Sequence, residues 1–276
     1  MKRNFITFVA GIMFLSLFGI NLASAGNWSK SQKKGVDKDK VYKDKDWSHS
    51  FYANAGFPSN SKERGNVIWR EEGSTRFLRF RLFNEQIGTS ESDNMERSRA
   101  PYWERAEVKA GNGKNNVFYF SKTKTYDVEF RVRFVEGFVD DRETFLQIHN
   151  WIKHCKSSNT PPVMVKFIEG KLVVEYALAF FKHQKIWLME ETNIENNYGK
   201  WIKFKLRISP SKAQKDYFNL VFFKNDVELG YQNMIWTAKC GKPHIKFGIY
   251  RPGSTDISLQ TSIIDYDYIK IKEIKN

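Results

Sequence analysis

Tyr126-Asp127-Val128-Glu129-Phe130-Arg131-Val132-Arg133-Phe134-Val135 switches between apolar and charged at nearly every step. Successive side chains of an extended chain point to opposite faces. Val128, Phe130, Val132 and Phe134 therefore share one face, and Glu129, Arg131 and Arg133 the other. One apolar and one charged face make a half-buried antiparallel strand. The period of two continues on both sides. Residues 75–83 set Leu78, Phe80 and Leu82 against Phe77, Arg79 and Arg81. Residues 163–168, the pair Glu169-Gly170 and residues 171–178 read as a hairpin, and residues 201–208 and 218–223 as strands. Asn225-Asp226 turns the chain into residues 227–231, and residues 263–274 form the last strand. About a dozen short strands result, and no helix longer than a turn or two. An all-β fold follows: a β-jelly roll, two curved antiparallel sheets packed as a concanavalin-like sandwich.

The N-terminus has different grammar. Lys2 and Arg3 precede an apolar run over residues 5–20 and the small-residue exit Ala23-Ser24-Ala25. That is the pattern of a signal peptide over 1–25, so a secreted or periplasmic protein is expected, free of the membrane once the signal is cleaved. Residues 26–46, rich in Lys, Asp and Ser, read as a flexible basic leader, and 47–276 as one jelly-roll domain, expected to be monomeric. The formal charge is +14, of which Lys2 and Arg3 account for two, leaving +12 on the mature chain. Such a surplus calls for a polyanionic partner. Export argues against nucleic acid, and the absence of a basic amphipathic helix against an anionic membrane, which leaves an acidic glycan. Cys155 and Cys240 can form a disulfide in an oxidising compartment or remain as two buried thiols.

Three polar segments lie on or beside strands: Arg105-Ala106-Glu107, Gln147-Ile148-His149-Asn150, and Lys246-Phe247-Gly248-Ile249-Tyr250-Arg251. Residues two apart share a face, so Arg105 goes with Glu107, Gln147 with His149, and Lys246 with Gly248 and Tyr250. If the strands are neighbours, one face presents a guanidinium, an amide, an imidazole and a phenol. β-Elimination beside a uronate carboxylate needs charge neutralisation, a base and an acid. Arg105 and Gln147 suit the first, Arg through its bidentate fork. His149 and Tyr250 suit proton transfer. Glu107 would orient Arg105, and Gly248 would let a sugar approach the backbone. The catalytic candidates are His149, Tyr250, Gln147 and Arg105; the candidate substrate contacts are Glu107, Asn150, Lys246, Arg251, Lys109 and Trp151.

These segments, in this order, resemble the signatures of jelly-roll polysaccharide lyases. Gln-Ile-His and Lys-x-Gly-x-Tyr are similar to alginate lyase segments, and Phe247-Gly248-Ile249-Tyr250-Arg251 is closer to heparin lyase I-like and glucuronan lyase-like enzymes. The resemblance runs from Arg105 to the C-terminus. It implies His149 and Tyr250 as the proton-transfer pair, Gln147 and Arg105 as carboxylate binders and Lys246 as a groove cation. Two departures count against alginate: Lys109 stands where alginate enzymes carry a second arginine, and Arg251-Pro252 where they carry Asn-Gln. The expected substrate is therefore a heparin-like, glucuronan or alginate chain, in that order.

Other readings compete. Glu91-Ser92-Asp93-Asn94-Met95-Glu96 spells the Glu-x-Asp-x-x-Glu of jelly-roll glycoside hydrolases, but its intervening residues are not those of a half-buried strand. A non-catalytic carbohydrate-binding module would use Trp103, Trp151 and Trp187 as stacking platforms; for Trp103 and Trp151 core packing is the plain alternative. His149 and His154 are too few ligands for zinc. Calcium is possible, but no acidic loop with ligand spacing appears, and no cofactor is required. Asp140-Asp141, Asp265 and Asp267 read as solvated or strand-edge charges.

Overall fold

A computed structural model describes residues 41–42, 50–53, 67–82, 103–111, 117–138, 143–150, 155, 161–178, 184–191, 194–252 and 261–275. The strands, in chain order, are β1 (Val41–Tyr42), β2 (Ser50–Ala53), β3 (Val67–Glu72), β4 (Thr75–Leu82), β5 (Trp103–Gly111), β6 (Thr125–Phe134), β7 (Thr144–His149) and β8 (Val163–Ile168). They continue as β9 (Lys171–Ala177), β10 (Gln184–Glu191), β11 (Trp201–Pro210), β12 (Tyr217–Lys224), β13 (Val227–Trp236), β14 (His244–Pro252) and β15 (Ser262–Ile274). Eight form one sheet in the order β1-β2-β5-β14-β7-β8-β9-β10, and seven form the other, β13-β12-β11-β6-β15-β4-β3. This is the expected all-β jelly roll. β1 lies inside the stretch read as leader and pairs with Phe51 and Tyr52, so the sheet begins earlier than the alternation suggested.

Alternation builds the sandwich. β6 buries every second residue, and Val128, Phe130, Val132 and Phe134 are all fully enclosed. Leu78, Phe80 and Leu82 of β4 and Phe204 and Leu206 of β11 join them from the same sheet. Val108, Leu146, Ile148, Phe247 and Ile249 close the core from the other. Each such side chain contributes about 1.5–3 kcal/mol through burial. On the outside of the seven-stranded sheet Arg79 donates two hydrogen bonds to Asp265, of 2.7 and 2.9 Å, and Arg133 donates two more, of 3.0 and 2.9 Å. Asp265 is fully buried beneath these guanidinium groups, so it is a structural anchor rather than the solvated or strand-edge charge expected.

Trp187 is half-buried against the core, and its indole occupies the space where Gly230 would carry a side chain. It packs the β10 and β13 edges together. Cys155 and Cys240 are bonded, with Cα atoms 5.8 Å apart, tying the segment after β7 to the turn before β14.

Candidate active site

β5, β14 and β7 are adjacent in the eight-stranded sheet. Their register sets Tyr250 opposite Arg105 and Thr144, Gly248 opposite Glu107, Lys246 opposite Lys109 and Gln147, and His244 opposite His149. The alternate residues Ala106, Val108, Ile148, Ile245 and Phe247 fill the core, so the polar set lies on the sheet's outer face. Residues as far apart in sequence as Arg105 and Tyr250 are thus brought together by strand pairing alone.

Glu107 is the hub. Its Oε1 accepts a 2.6 Å hydrogen bond from Gln147 Nε2, while Oε2 faces Arg105 Nε at 3.4 Å and Lys246 Nζ at 3.8 Å. Arg105, Glu107, Gln147 and Lys246 are all buried, so these interactions act where water screens them little. The Arg105 guanidinium lies over the Tyr250 ring, 4.6 Å from its centroid. Glu107 therefore orients Gln147 and Lys246 as well as Arg105. Gln147 carries a second amide hydrogen, and Arg105 carries further N–H groups besides the Nε that faces Glu107.

His149 and Tyr250 are half-buried at opposite ends of this floor. Burial, then Lys246, His244, Arg105 and Lys109, hold the His149 imidazole well below the usual histidine range. It is neutral at neutral pH and able to take a proton. His244, unnoticed in the sequence, lies beside it with ring centroids 5.6 Å apart. Its Nδ1 donates to the Lys242 carbonyl at 2.9 Å, and burial lowers its pKa to about 3 despite that bond. Tyr119, 41% exposed, packs edge-on to His244 at 5.6 Å, with the exposed Lys242 ammonium 5.4 Å from the Tyr119 ring centre. This aromatic and cationic edge extends the site beyond His149. His244 could have been found, being two residues before Lys246 and so on the same face. Tyr119 could not, since it lies between β5 and β6 in a stretch with no alternation.

Two expected contacts are corrected. Asn150 is fully buried, its side chain packed where Gly241 lacks one, and its carbonyl accepts the Lys242 amide. It shapes the turn before β14. Arg251, one step past Tyr250, falls on the core side, 1% exposed, where it donates a 2.6 Å hydrogen bond to Glu143. Neither can touch a sugar. Gly248 is also needed for a different reason: its φ is +130°, and a Cβ would overlap the Ala106 carbonyl oxygen and lie 2.8 Å from Phe80 Cδ1. The space it leaves is filled by protein. Lys109 stays on the outer face, half-buried opposite Lys246. Trp151, His154, Asp140-Asp141 and the carboxylate run 91–96 lie outside the described residues.

A family model described as polysaccharide lyase matches residues 72–269. No curated protein matches the sequence. Among solved structures, an alginate lyase of polysaccharide lyase family 7 is similar, at 12% identity over 83% of this chain and 96% of that one, with a TM-score of 0.58. A variant of the same enzyme in complex with substrate aligns with a TM-score of 0.60 at 12% identity, over 84% and 96% of the two chains. An endo-β-1,4-glucuronan lyase from the fungus Trichoderma reesei aligns over 81% and 95%, at 11% identity and a TM-score of 0.51. At these identities the likeness shows a shared fold.

Proposed function

The chain belongs to the polysaccharide lyase family, and from that premise we propose that it breaks a uronate-containing anionic polysaccharide by β-elimination on the outer face of β5, β14 and β7. The observation that carries this reading is the buried cluster around Glu107, which aims one guanidinium, one amide and one ammonium outward beside a neutral imidazole. Arg105 and Gln147 hold the uronate carboxylate and take up the charge that develops on it as C5 loses its proton. His149 accepts that proton. The electron pair of the C5–H bond forms the C4–C5 double bond, the C4–O bond breaks, and the Tyr250 hydroxyl protonates the departing oxygen. Arg105 over the Tyr250 ring keeps the phenol beside the carboxylate site. Lys246 and Lys109 add positive charge along the groove, so no metal is needed to neutralise the carboxylate.

Tyr119 and Lys242 offer a ring face and a cation to a neighbouring acidic sugar. Heparin-like, glucuronan and alginate chains are the candidate substrates; the last two are those named for the structural relatives. Export fits the Cys155–Cys240 disulfide, which persists in an oxidising compartment. The test is to incubate the protein with heparin, heparan sulfate, glucuronan, alginate and hyaluronan and follow ultraviolet absorbance of the unsaturated product. A rising trace with one uronate polymer is expected. Flat traces with all of them, together with reducing-end release from a neutral glucan, would overturn the reading.

A further inference from the structure

The register between β14 and β7 breaks between Phe247 and Tyr250, and that between β7 and β8 breaks between Thr144 and Leu146. The interruptions meet at Gly248 and Phe145, directly behind the outer face that carries Tyr250 and Gln147. Broken register in a sheet interior leaves backbone groups without ladder partners, and such groups need another partner. The partner comes from the opposite sheet. Tyr266 of β15, wholly buried, donates its hydroxyl to the Phe145 carbonyl at 2.5 Å, and its oxygen takes a hydrogen bond from the backbone of Gly248. Its ring is fixed by Phe80 at 5.4 Å and Phe247 at 4.9 Å.

A second tie lies one turn of the pleat away. Ser262 and Tyr266 lie on the inward face of β15, flanking Ile264. Ser262 donates to Glu143, which also accepts from Arg251. Glu143 immediately precedes β7, and Arg251 immediately follows Tyr250. The outer-face phenol is thus bracketed from behind, at Gly248 by Tyr266 and at Arg251 by the Glu143–Ser262 contact.

We propose that Tyr266 is a positioning residue for the lyase reaction: its buried hydroxyl pins the two interrupted strands in the one arrangement that aims Tyr250 and Gln147 at the same sugar. The proposal rests on the roles given above to Tyr250 and Gln147. A hydrophobic plug would fill the same volume but leave the Phe145 carbonyl and the Gly248 amide unsatisfied, and the strands would be free to settle differently. Small displacements of reacting groups cost rate rather than affinity.

The test compares Tyr266→Phe with Ile269→Val, a buried change on the same strand with no polar role. On whichever uronate polymer the wild type cleaves, Tyr266→Phe is expected to lower kcat on the order of a hundred-fold with KM little changed, and to shift the pH–rate profile. Ile269→Val is expected to lower Tm while keeping kcat and the pH profile. In the wild type the Gly248 amide is expected to exchange as slowly as core amides, which needs no variant to fold. A Tyr266→Phe enzyme with wild-type kcat and pH profile would overturn the proposal, as would an equal loss in Ile269→Val or fast Gly248 exchange in the wild type. If the wild type cleaves no uronate polymer, the functional reading fails by itself, and slow Gly248 exchange that becomes fast in Tyr266→Phe still supports the tie between the sheets.

Discussion

His149 is half-buried and stands beside Lys246, His244, Arg105 and Lys109, so protonating it is costly and its lone pair stays available. Tyr250 meets the other end of the same floor through Arg105. Replacing His149 with Asn or Tyr250 with Phe should lower kcat by about a hundred- to ten-thousand-fold, as expected for a lost proton-transfer group. Polymer affinity in gel retardation should stay near that of the wild type. Loss of affinity with kcat preserved would show that the two rings only bind. The polar floor was legible because Arg105, Glu107, Gln147, His149, Lys246 and Tyr250 occupy alternate positions on three strands, and strand geometry assigns each a face. Asn150 and Arg251 went wrong for the same reason: each is one step from an outward residue, and one step reverses the face. What Glu107 does was only half visible, because its contacts with Gln147 and Lys246 depend on which strands are neighbours.

Elements that alternate cleanly, such as β6 and β11, could be read from the chain with almost their observed bounds. β13 could be followed only to its midpoint: it is an edge strand with mixed exposure, so no apolar face marks its second half. β10, with the run Gln184-Lys185-Ile186-Trp187-Leu188-Met189-Glu190-Glu191, shows no period of two and so is not legible in the sequence. The interruptions in β7 and β14 were invisible, since a bulge is a relation between strands. From the sequence Gly248 reads as a space for substrate, whereas a Cβ there would meet the Ala106 carbonyl and Phe80. Gly248→Ala should therefore destabilise the protein by about 1–3 kcal/mol through backbone strain alone. It should also lower kcat, because β14 must shift to relieve the overlap, carrying Tyr250 with it. Urea denaturation and steady-state kinetics check both, and a Gly248→Ala enzyme with unchanged stability and rate would contradict this view of the strand.

For the molecule as a whole, the two-sheet sandwich and its basic surplus followed from composition and period, while the disulfide could only be allowed, since no spacing rule brings residues 85 apart within bonding range. Folding also sets a pH dependence. Histidines of the unfolded chain titrate near about 6.5. In the folded protein His244 is lowered to about 3 and His149 well below its usual range, in both cases by burial first. The unfolded chain therefore binds protons that the folded protein refuses. The stabilisation from these two groups is complete above about pH 6.5 and is lost as pH falls below it, by about 1.4 kcal/mol per pH unit for each histidine. For His244 the loss levels off near pH 3. Urea midpoints measured down this range should decline, and His244→Gln should flatten the decline; equal slopes in both proteins would contradict the assignment. The central claim is that the polymer is cut by elimination, and the mass of the products tests it most directly. On a defined uronate oligosaccharide, mass spectrometry should find every new non-reducing fragment one water lighter than its hydrolytic counterpart. Fragments that together have gained a water would contradict the account.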